Sequence, residues 1–462
     1  MKERQSKRLF IILLVIGDIV ALNLGVLVAF SLKFSSQVPE VNFRPYAEMW
    51  PYISIYSVLI LGVLGLYGVS GKTSRTTILY RAFMGTVGSS LVTMAFMYFT
   101  RGFSFPRSIL VGAIWLQASL VFVWHLCVER IFYGLLKTKR VMLVAASGEI
   151  DRVASKFLAA SLCKYEITHI YDEEMIKGLM DLEYVDGICI DTSVSNEVRE
   201  LLMKRALSED KELYIIPGFS DIIMQNADYN RIEDLPFFYV RSLALSPGAI
   251  VIKRVFDVLV SLVGMVICIP FFLVVAFMIL TTPGPVFYIQ ERVGRGGRPF
   301  KLIKFRTMIN DAEKETGPVV SVNGDHRVTW VGKHLRAARL DELPQLFNIL
   351  KGEMSLVGPR PERQVFVDRF LEEIPEYKYR FKVKPGLTGL AQVEGCYRTD
   401  VREKLLYDLL YIRNYSFLLD IQIIVRTIRV LFSPEKAEGV KSIDSEVLSH
   451  IDEIKKSSIG KF

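Results

Sequence analysis

Four apolar runs crowd into the first 130 residues of this 462-residue chain: Leu9–Leu32, Tyr52–Val69, Phe83–Phe99 and Ile109–Val128. A helix needs about 20 apolar residues to cross a bilayer, with about 17 as the lower limit. The second and third runs sit near that limit yet carry no charge, and the first carries only Asp18. With 51% hydrophobic and 23% charged residues, the chain is too apolar for disorder or for an ordinary soluble enzyme. The pattern predicts a membrane protein with four N-terminal transmembrane helices within residues 1–135. The first run is long and no small-residue cleavage site follows it, which argues against a signal peptide.

Basic residues orient these helices. Lys2, Arg4, Lys7 and Arg8 precede the first, Lys72, Arg75 and Arg81 separate the second and third, and Arg130, Lys137, Lys139 and Arg140 follow the fourth. The opposite side has only Lys33, Arg44, Arg101 and Arg107. Cytoplasmic flanks carry the excess of Lys and Arg, so the N-terminus and everything after residue 130 are expected in the cytoplasm. Asp18, an acid inside a membrane segment, is a functional candidate by default. Its plainer role is a hydrogen bond between helices, with Asn23 as the expected partner.

Charge then alternates along the chain: net +10 over residues 1–140, −9 over 141–250 and +7 over 251–462. Two basic, membrane-facing regions around an acidic soluble one fit this division. Nucleic acid is not expected as a partner, because the basic residues flank apolar runs rather than form basic–aromatic stripes. The five cysteines are widely spaced and form no CxxC pair, so neither zinc nor a disulfide framework is indicated.

Residues 140–245 alternate short apolar runs with helix-like segments. Val141–Ala146, Ile188–Ile190 and Leu213–Ile216 read as strands, and Glu149–Ala160 and Val194–Leu207 as helices, which predicts a doubly wound, Rossmann-like α/β domain. Where a dinucleotide site wants GxGxxG, the chain has Ala145-Ala146-Ser147-Gly148-Glu149, and Glu149 and Asp151 would repel a pyrophosphate. Tyr133 and Lys137 have YxxxK spacing but precede the first strand. The domain is read as degenerate, with a regulatory or assembly role.

A fifth apolar stretch, about residues 255–281, is long enough to span. Pro270 near its centre removes a backbone donor, and basic residues flank both sides: Lys253 and Arg254, then Arg292, Arg295, Arg298, Lys301 and Lys304. A full crossing would place the most basic stretch outside the cell. The stretch is therefore read as a re-entrant helix that breaks at Pro270 and returns, opening a mainly α monotopic domain over residues 250–462.

The tract from Gly284 to Arg339 holds 11 Lys+Arg against 5 Asp+Glu. Its glycines let backbone approach phosphate, and its cations, Lys304 and Arg306 among them, suit phosphate or anionic lipid headgroups. The polar insert Asn310–Asn323 has the composition of a lid. Beyond it, Leu340-Asp341-Glu342-Leu343-Pro344-Gln345 sets two acids before a helix whose first turn accommodates Pro344. An ionised carboxylate there suits a nucleophile toward phosphorus, and an adjacent acid suits Mg²⁺. From the two acids alone, a simple helix cap is the favoured reading.

Three further segments follow: Gly358-Pro359-Arg360-Pro361, then Lys384-Pro385-Gly386-Leu387-Thr388-Gly389-Leu390-Ala391-Gln392, then Asn414-Tyr415-Ser416-Phe417-Leu418-Leu419-Asp420. With them, residues from about Lys253 to Phe432 closely resemble the bacterial sugar transferase family, the monotopic polyprenyl-phosphate phosphoglycosyl transferases. The membrane helices and degenerate domain ahead resemble its large members. The resemblance implies transfer of a sugar-1-phosphate from a UDP-sugar to undecaprenyl phosphate, with release of UMP, at the start of exopolysaccharide, capsule or O-antigen synthesis. It assigns Asp341 as the nucleophile that forms a phosphosugar-aspartyl intermediate, and Glu342 with Asp341 as ligands of Mg²⁺. Arg336 and Arg360 are implied phosphate contacts, Pro359 and Pro361 the shape of the nucleotide pocket, and Pro270 the membrane break. Cys268 stands where some members have Ser.

The partners implied are the UDP-sugar, undecaprenyl phosphate and the bilayer of the bacterial inner membrane, while a homo-oligomer and other polysaccharide-assembly proteins stay open. Leu405–Phe432 reads as an amphipathic interfacial segment or a packed helix. Two competing functions remain. A membrane-anchored NAD-dependent sugar-nucleotide dehydratase is opposed by the missing glycine motif. A non-catalytic assembly scaffold is opposed by the intact Asp341, Glu342 and Arg360.

Overall fold

The computed structural model describes residues 2–35, 38–68, 75–99, 106–135, 138–160, 165–176, 182, 184–309, 325, 327–395, 400–431, 451 and 454. Asn310–Asn323 lies outside the described residues. The chain forms two compact units, Met1–Ile216 with Lys441–Phe462, and Pro217–Val440.

The first unit opens with four helices, α1 (Lys2–Phe34), α2 (Glu40–Val63), α3 (Arg75–Phe99) and α4 (Arg107–Leu135). Among the described residues, three helices of the whole chain are long and apolar enough to cross a membrane: Arg8–Phe34, Ser108–Ile131 and Pro247–Leu280. α2 and α3 are not among them. α2 contains Pro45 and Pro51, and α3 buries Thr86, Ser89, Ser90 and Thr93, which dilute its apolarity. α2 ends in a tight turn: Gly65 takes φ +83°, and Leu66 N–H donates to Leu61 O at 3.1 Å, the cap that a left-handed glycine permits.

Polar side chains join these helices. Asn23 donates to Ser54 Oγ at 2.8 Å and accepts from the Tyr46 hydroxyl at 2.6 Å. Asp18 does not meet Asn23, the partner that the sequence suggested. Five residues apart, the two point about 140° away from each other around a helix. Asp18 instead faces His125 on α4, whose Nε2 lies 3.0 and 3.2 Å from its two carboxylate oxygens, with both side chains buried.

The same unit contains a parallel sheet of β1 (Lys139–Ala145), β2 (Tyr165–Asp172), β3 (Gly187–Ile190) and β4 (Glu212–Ile215), in the order β2-β1-β3-β4. Helices α5 (Ile150–Ala160) and α6 (Asn196–Ser208) pack against it. β2 was not anticipated, since Glu166, Thr168 and His169 interrupt its apolar residues. Ile451 and Ile454 are buried beside Val141, Leu143, Ile167 and Val153, so residues beyond the second unit complete this core.

The second unit begins at Pro217, ahead of the boundary expected near residue 245. It takes in a hairpin of β5 (Asp228–Ile232) and β6 (Leu235–Tyr239). Arg413 fixes that segment by donating to Gln225 O at 2.6 Å and Arg241 O at 3.0 Å. The rest comprises α7 (Pro247–Leu280), the hairpin β7 (Phe287–Val293) and β8 (Pro299–Phe305), and α8 (Trp330–Ala337). Then come α9 (Gln345–Lys351), a short parallel pair β9 (Ser355–Val357) and β10 (Gly386–Thr388), α10 (Val401–Arg413) and α11 (Phe417–Leu431). Leu405–Phe432 is thus two helices, and α10 is a packed one, with Leu405, Leu409, Tyr411 and Ile412 buried.

α7 starts at a Ser246 cap with Pro247 in its first turn. It continues through Pro270, where the sequence predicted a break. Loss of one backbone donor does not interrupt a helix held by packing on either side. Near the N-terminus, Lys253 meets Asp420 at 2.6 Å, Arg254 donates to Ile349 O and Leu350 O, and Asp257 accepts from Leu356 N–H at 3.0 Å. Near the C-terminus, Val275 and Ile279 are buried with Phe305, Val331 and Leu335. Both ends of α7 therefore rest on one unit, while Val255, Leu259, Val266 and Phe277 on its other faces are exposed.

Candidate active site

The site is assembled around a turn. α8 ends at Ala337, and two residues on Arg339 adopts φ +53°, a left-handed conformation that costs a non-glycine residue about 1–3 kcal/mol. That turn redirects the chain into the 3₁₀ segment Leu340–Glu342, immediately before Pro344 and α9. The acids thus stand ahead of a short helix, close to where the sequence predicted. Asn348 on α9 ties this element to β8: it donates to Lys301 O at 2.7 Å and accepts from Ile303 N–H at 3.1 Å. The register so fixed brings Lys304 to Glu342.

Glu342 Oε1 receives Arg360 Nη2 at 2.7 Å and Lys304 Nζ at 3.4 Å. Burial works against the charged form of Glu342, but Arg360 and Lys304 outweigh it and hold the carboxyl at about 2. Burial lowers the Lys304 pKa, with Arg360 adding to the effect. Asp341 makes no hydrogen bond or ion pair with any described residue. Burial, then the Glu342 charge, pushes its pKa above the ordinary aspartate value, against the pull of Lys304, Arg336 and Arg360. The two adjacent acids therefore differ in kind: Glu342 is ionised and engaged, whereas Asp341 is uncommitted.

Arg360 lies in the loop after β9, between Pro359 and Pro361. Gly358 and Gly386 let that loop lie against β10, because a Cβ on Gly386 would come within 2.1 Å of Gly358 N. Gly294, Pro359, Arg360, Pro361, Arg380 and Pro385 line a recess beside it.

Arg336 Nε donates to Thr307 Oγ1 at 2.9 Å, and its charge reaches Asp341. Arg306 does not join the group. Its guanidinium donates to Ile279 O, Thr282 O, Thr282 Oγ1 and Pro283 O at 2.7–3.1 Å, closing the C-terminal end of α7. Pro270 lies within α7. The structure also reveals buried charges that sequence reasoning passed over: Arg380 with Asp408, and Lys253 with Asp420. Asp408 and Asp420 were detectable as lone acids within otherwise apolar helical runs.

Two adjacent carboxylates suit Mg²⁺, which takes one or two carboxylates and completes its shell with water and phosphate oxygens. The donor set fits, since Asp341 is uncommitted and both hydrogen bonds to Glu342 fall on Oε1. Among the described residues no group of three or more His, Cys, Asp or Glu is placed to hold a metal ion, so the protein would supply this pair alone.

The family model for bacterial sugar transferases matches residues 248–434. The chain is 45% identical over 207 residues to a UDP-N-acetylgalactosamine-undecaprenyl-phosphate N-acetylgalactosaminephosphotransferase of Aeromonas hydrophila, covering 44% of this chain and 49% of that one. It is 37% identical over 292 residues to a UDP-glucose:undecaprenyl-phosphate glucose-1-phosphate transferase of Klebsiella pneumoniae, covering 57% and 61%. A protein of that same name from Caulobacter vibrioides is 43% identical over 193 residues, covering 40% of this chain and 71% of the relative. The matched part thus spans about half to three fifths of the first two relatives.

Proposed function

The chain belongs to the bacterial sugar transferase family, and on that premise we propose that it moves a sugar-1-phosphate from a UDP-sugar to undecaprenyl phosphate, releasing UMP. The carrying observation is the uncommitted Asp341 carboxylate beside Glu342, which Arg360 and Lys304 already hold. Asp341 attacks the sugar-bearing β-phosphorus as the bond to the UMP oxygen breaks, and UMP departs with that electron pair. A phosphate oxygen of the lipid then attacks the same phosphorus and expels the Asp341 carboxylate. Arg336 and Arg360 meet the phosphate oxygens, and Lys304 adds positive charge where negative charge develops. The recess at Pro359 and Pro361 takes the nucleotide. Bound between Asp341 and Glu342, Mg²⁺ would neutralise pyrophosphate charge. The donor sugar is a hexose or N-acetylhexosamine, the classes named for the relatives.

The bilayer reading follows from α7. A helix of 34 residues is about 50 Å long, whereas the hydrocarbon core is about 30 Å thick. Contacts at both ends with one unit support a re-entrant placement in the cytoplasmic leaflet rather than a crossing, with α7 kinked rather than broken at Pro270. The exposed apolar faces meet lipid tails, and the nearby cations face headgroups and the lipid phosphate. α1–α4 are assigned as four spans of the inner membrane with the rest of the chain cytoplasmic, and β1–β4 with their helices as a Rossmann-like regulatory or assembly module.

The test is UMP release from a panel of UDP-sugars, with undecaprenyl phosphate and Mg²⁺, comparing the wild type with Asp341→Asn. Acceptor-dependent UMP from one donor, lost in the variant, supports the reading and names the sugar. A folded wild type that releases no UMP from any donor favours the scaffold reading.

A further inference from the structure

A loop carrying two prolines has few backbone donors, so it is held through its carbonyls. In residues 359–362 all four carbonyls are engaged. Pro359 O accepts from Gly386 N–H and Glu362 O from Val293 N–H, both at 2.9 Å. The two between them are taken by guanidinium groups: Pro361 O by Arg292 at 3.2 Å, and Arg360 O by Arg380 Nη2 at 2.8 Å.

Arg380 is well placed to hold that carbonyl rigidly. It is buried, its Nε donates to Asp408 Oδ2 at 3.0 Å, and its Nη1 donates to the Tyr377 hydroxyl. Asp408 and Tyr377 are themselves buried, on α10 and on the 3₁₀ segment Pro375–Lys382. None of these three side chains contacts Glu342 or Asp341 in the structure. We propose that Arg380 is a positioning residue for the transferase reaction: by clamping the Arg360 carbonyl, it aims the Arg360 guanidinium at Glu342 and the donor phosphates. The proposal rests on the transferase reading above.

Removing Arg380 alone would leave Asp408 buried without its partner, so the informative variant is the pair Arg380→Met/Asp408→Leu, which removes both charges together. In the UMP-release assay the pair is expected to lower kcat about 100-fold, the cost of an ångström-scale misplacement of a charged group, with a thermal midpoint lowered less than by Arg380→Met alone. Arg380→Lys, able to keep one of the three acceptors, is expected to recover part of that loss. Combined with Arg360→Met, the pair should add no further loss, since both changes disable one device.

A pair variant with wild-type kcat, or a loss that multiplies with that of Arg360→Met, overturns the proposal. A purely structural role would give such multiplication. If the pair does not fold, Tyr377→Phe decides by the same cycle, with a smaller loss that again must not multiply. A silent wild type would instead defeat the transferase reading.

Discussion

The Arg306 guanidinium donates to both the carbonyl and the hydroxyl of Thr282, at 2.9 and 2.7 Å. It also reaches Ile279 O and Pro283 O, so one side chain ties the turn that follows α7 to the last turn of that helix. Arg306→Met should therefore destabilise the protein by about 1–3 kcal/mol, because the buried guanidinium's hydrogen bonds to this turn are lost. Thermal unfolding in nanodiscs checks this. A phosphate-binding Arg306 would give the opposite pattern, with kcat/KM lost and stability kept.

The electrostatics of the two acids set a pH dependence. In the proposed mechanism Asp341 attacks as a carboxylate, and its pKa lies above the ordinary aspartate value, so the rate should fall as pH drops through that raised value. Glu342, held at about 2, stays ionised over the same range. Lys304 is the first of the cations that oppose the rise at Asp341. Lys304→Met should move the acid limb of kcat upward, and Glu342→Gln should move the limb of the residual rate downward. A limb that ignores both substitutions would show that Asp341 is not the titrating group.

Short-range features were legible in the sequence and distant pairings were not. Asp341, Glu342 and Arg360 sit in compact motifs, and the apolar runs of α1, α4 and α7 mark themselves by length. Lys304 lies in β8 but the strand ends at Phe305, so the alternation that would set residues two apart on one face no longer governs Arg306. Sequence gives both the same charge, but one meets Glu342 and the other a helix end. Asp18 and His125 are 107 residues apart, and Arg380 and Asp408 28 apart. Only the packing of helices brings such partners together, and no local periodicity encodes it. β2 was hidden because its polar residues break the apolar run that identifies β1 and β3.

The Asp18–His125 pair makes a prediction of its own. Both groups are buried between α1 and α4, so removing one leaves the other without its partner at a cost of about 1–3 kcal/mol. Asp18→Leu should lower the unfolding midpoint of the N-terminal unit more than the double Asp18→Leu/His125→Leu. Equal midpoints would mean that the contact contributes no net stability.

Ile451 and Ile454 complete the core over β1, β2 and α5, although the second unit separates them in sequence from the rest of that core. Burial of Ile451 is complete and that of Ile454 nearly so. Truncating a buried isoleucine to alanine costs about 2–5 kcal/mol, through lost transfer free energy and the cavity left behind. Ile451→Ala should therefore destabilise the first unit, read by hydrogen exchange at Val141–Ala145, while protection at Ser355–Val357 in the second unit stays unchanged. Deleting residues 441–462 should act in the same direction more strongly, since it uncovers the whole patch at once. Unchanged exchange in β1 after the deletion would show that the sheet carries its core without the C-terminal segment.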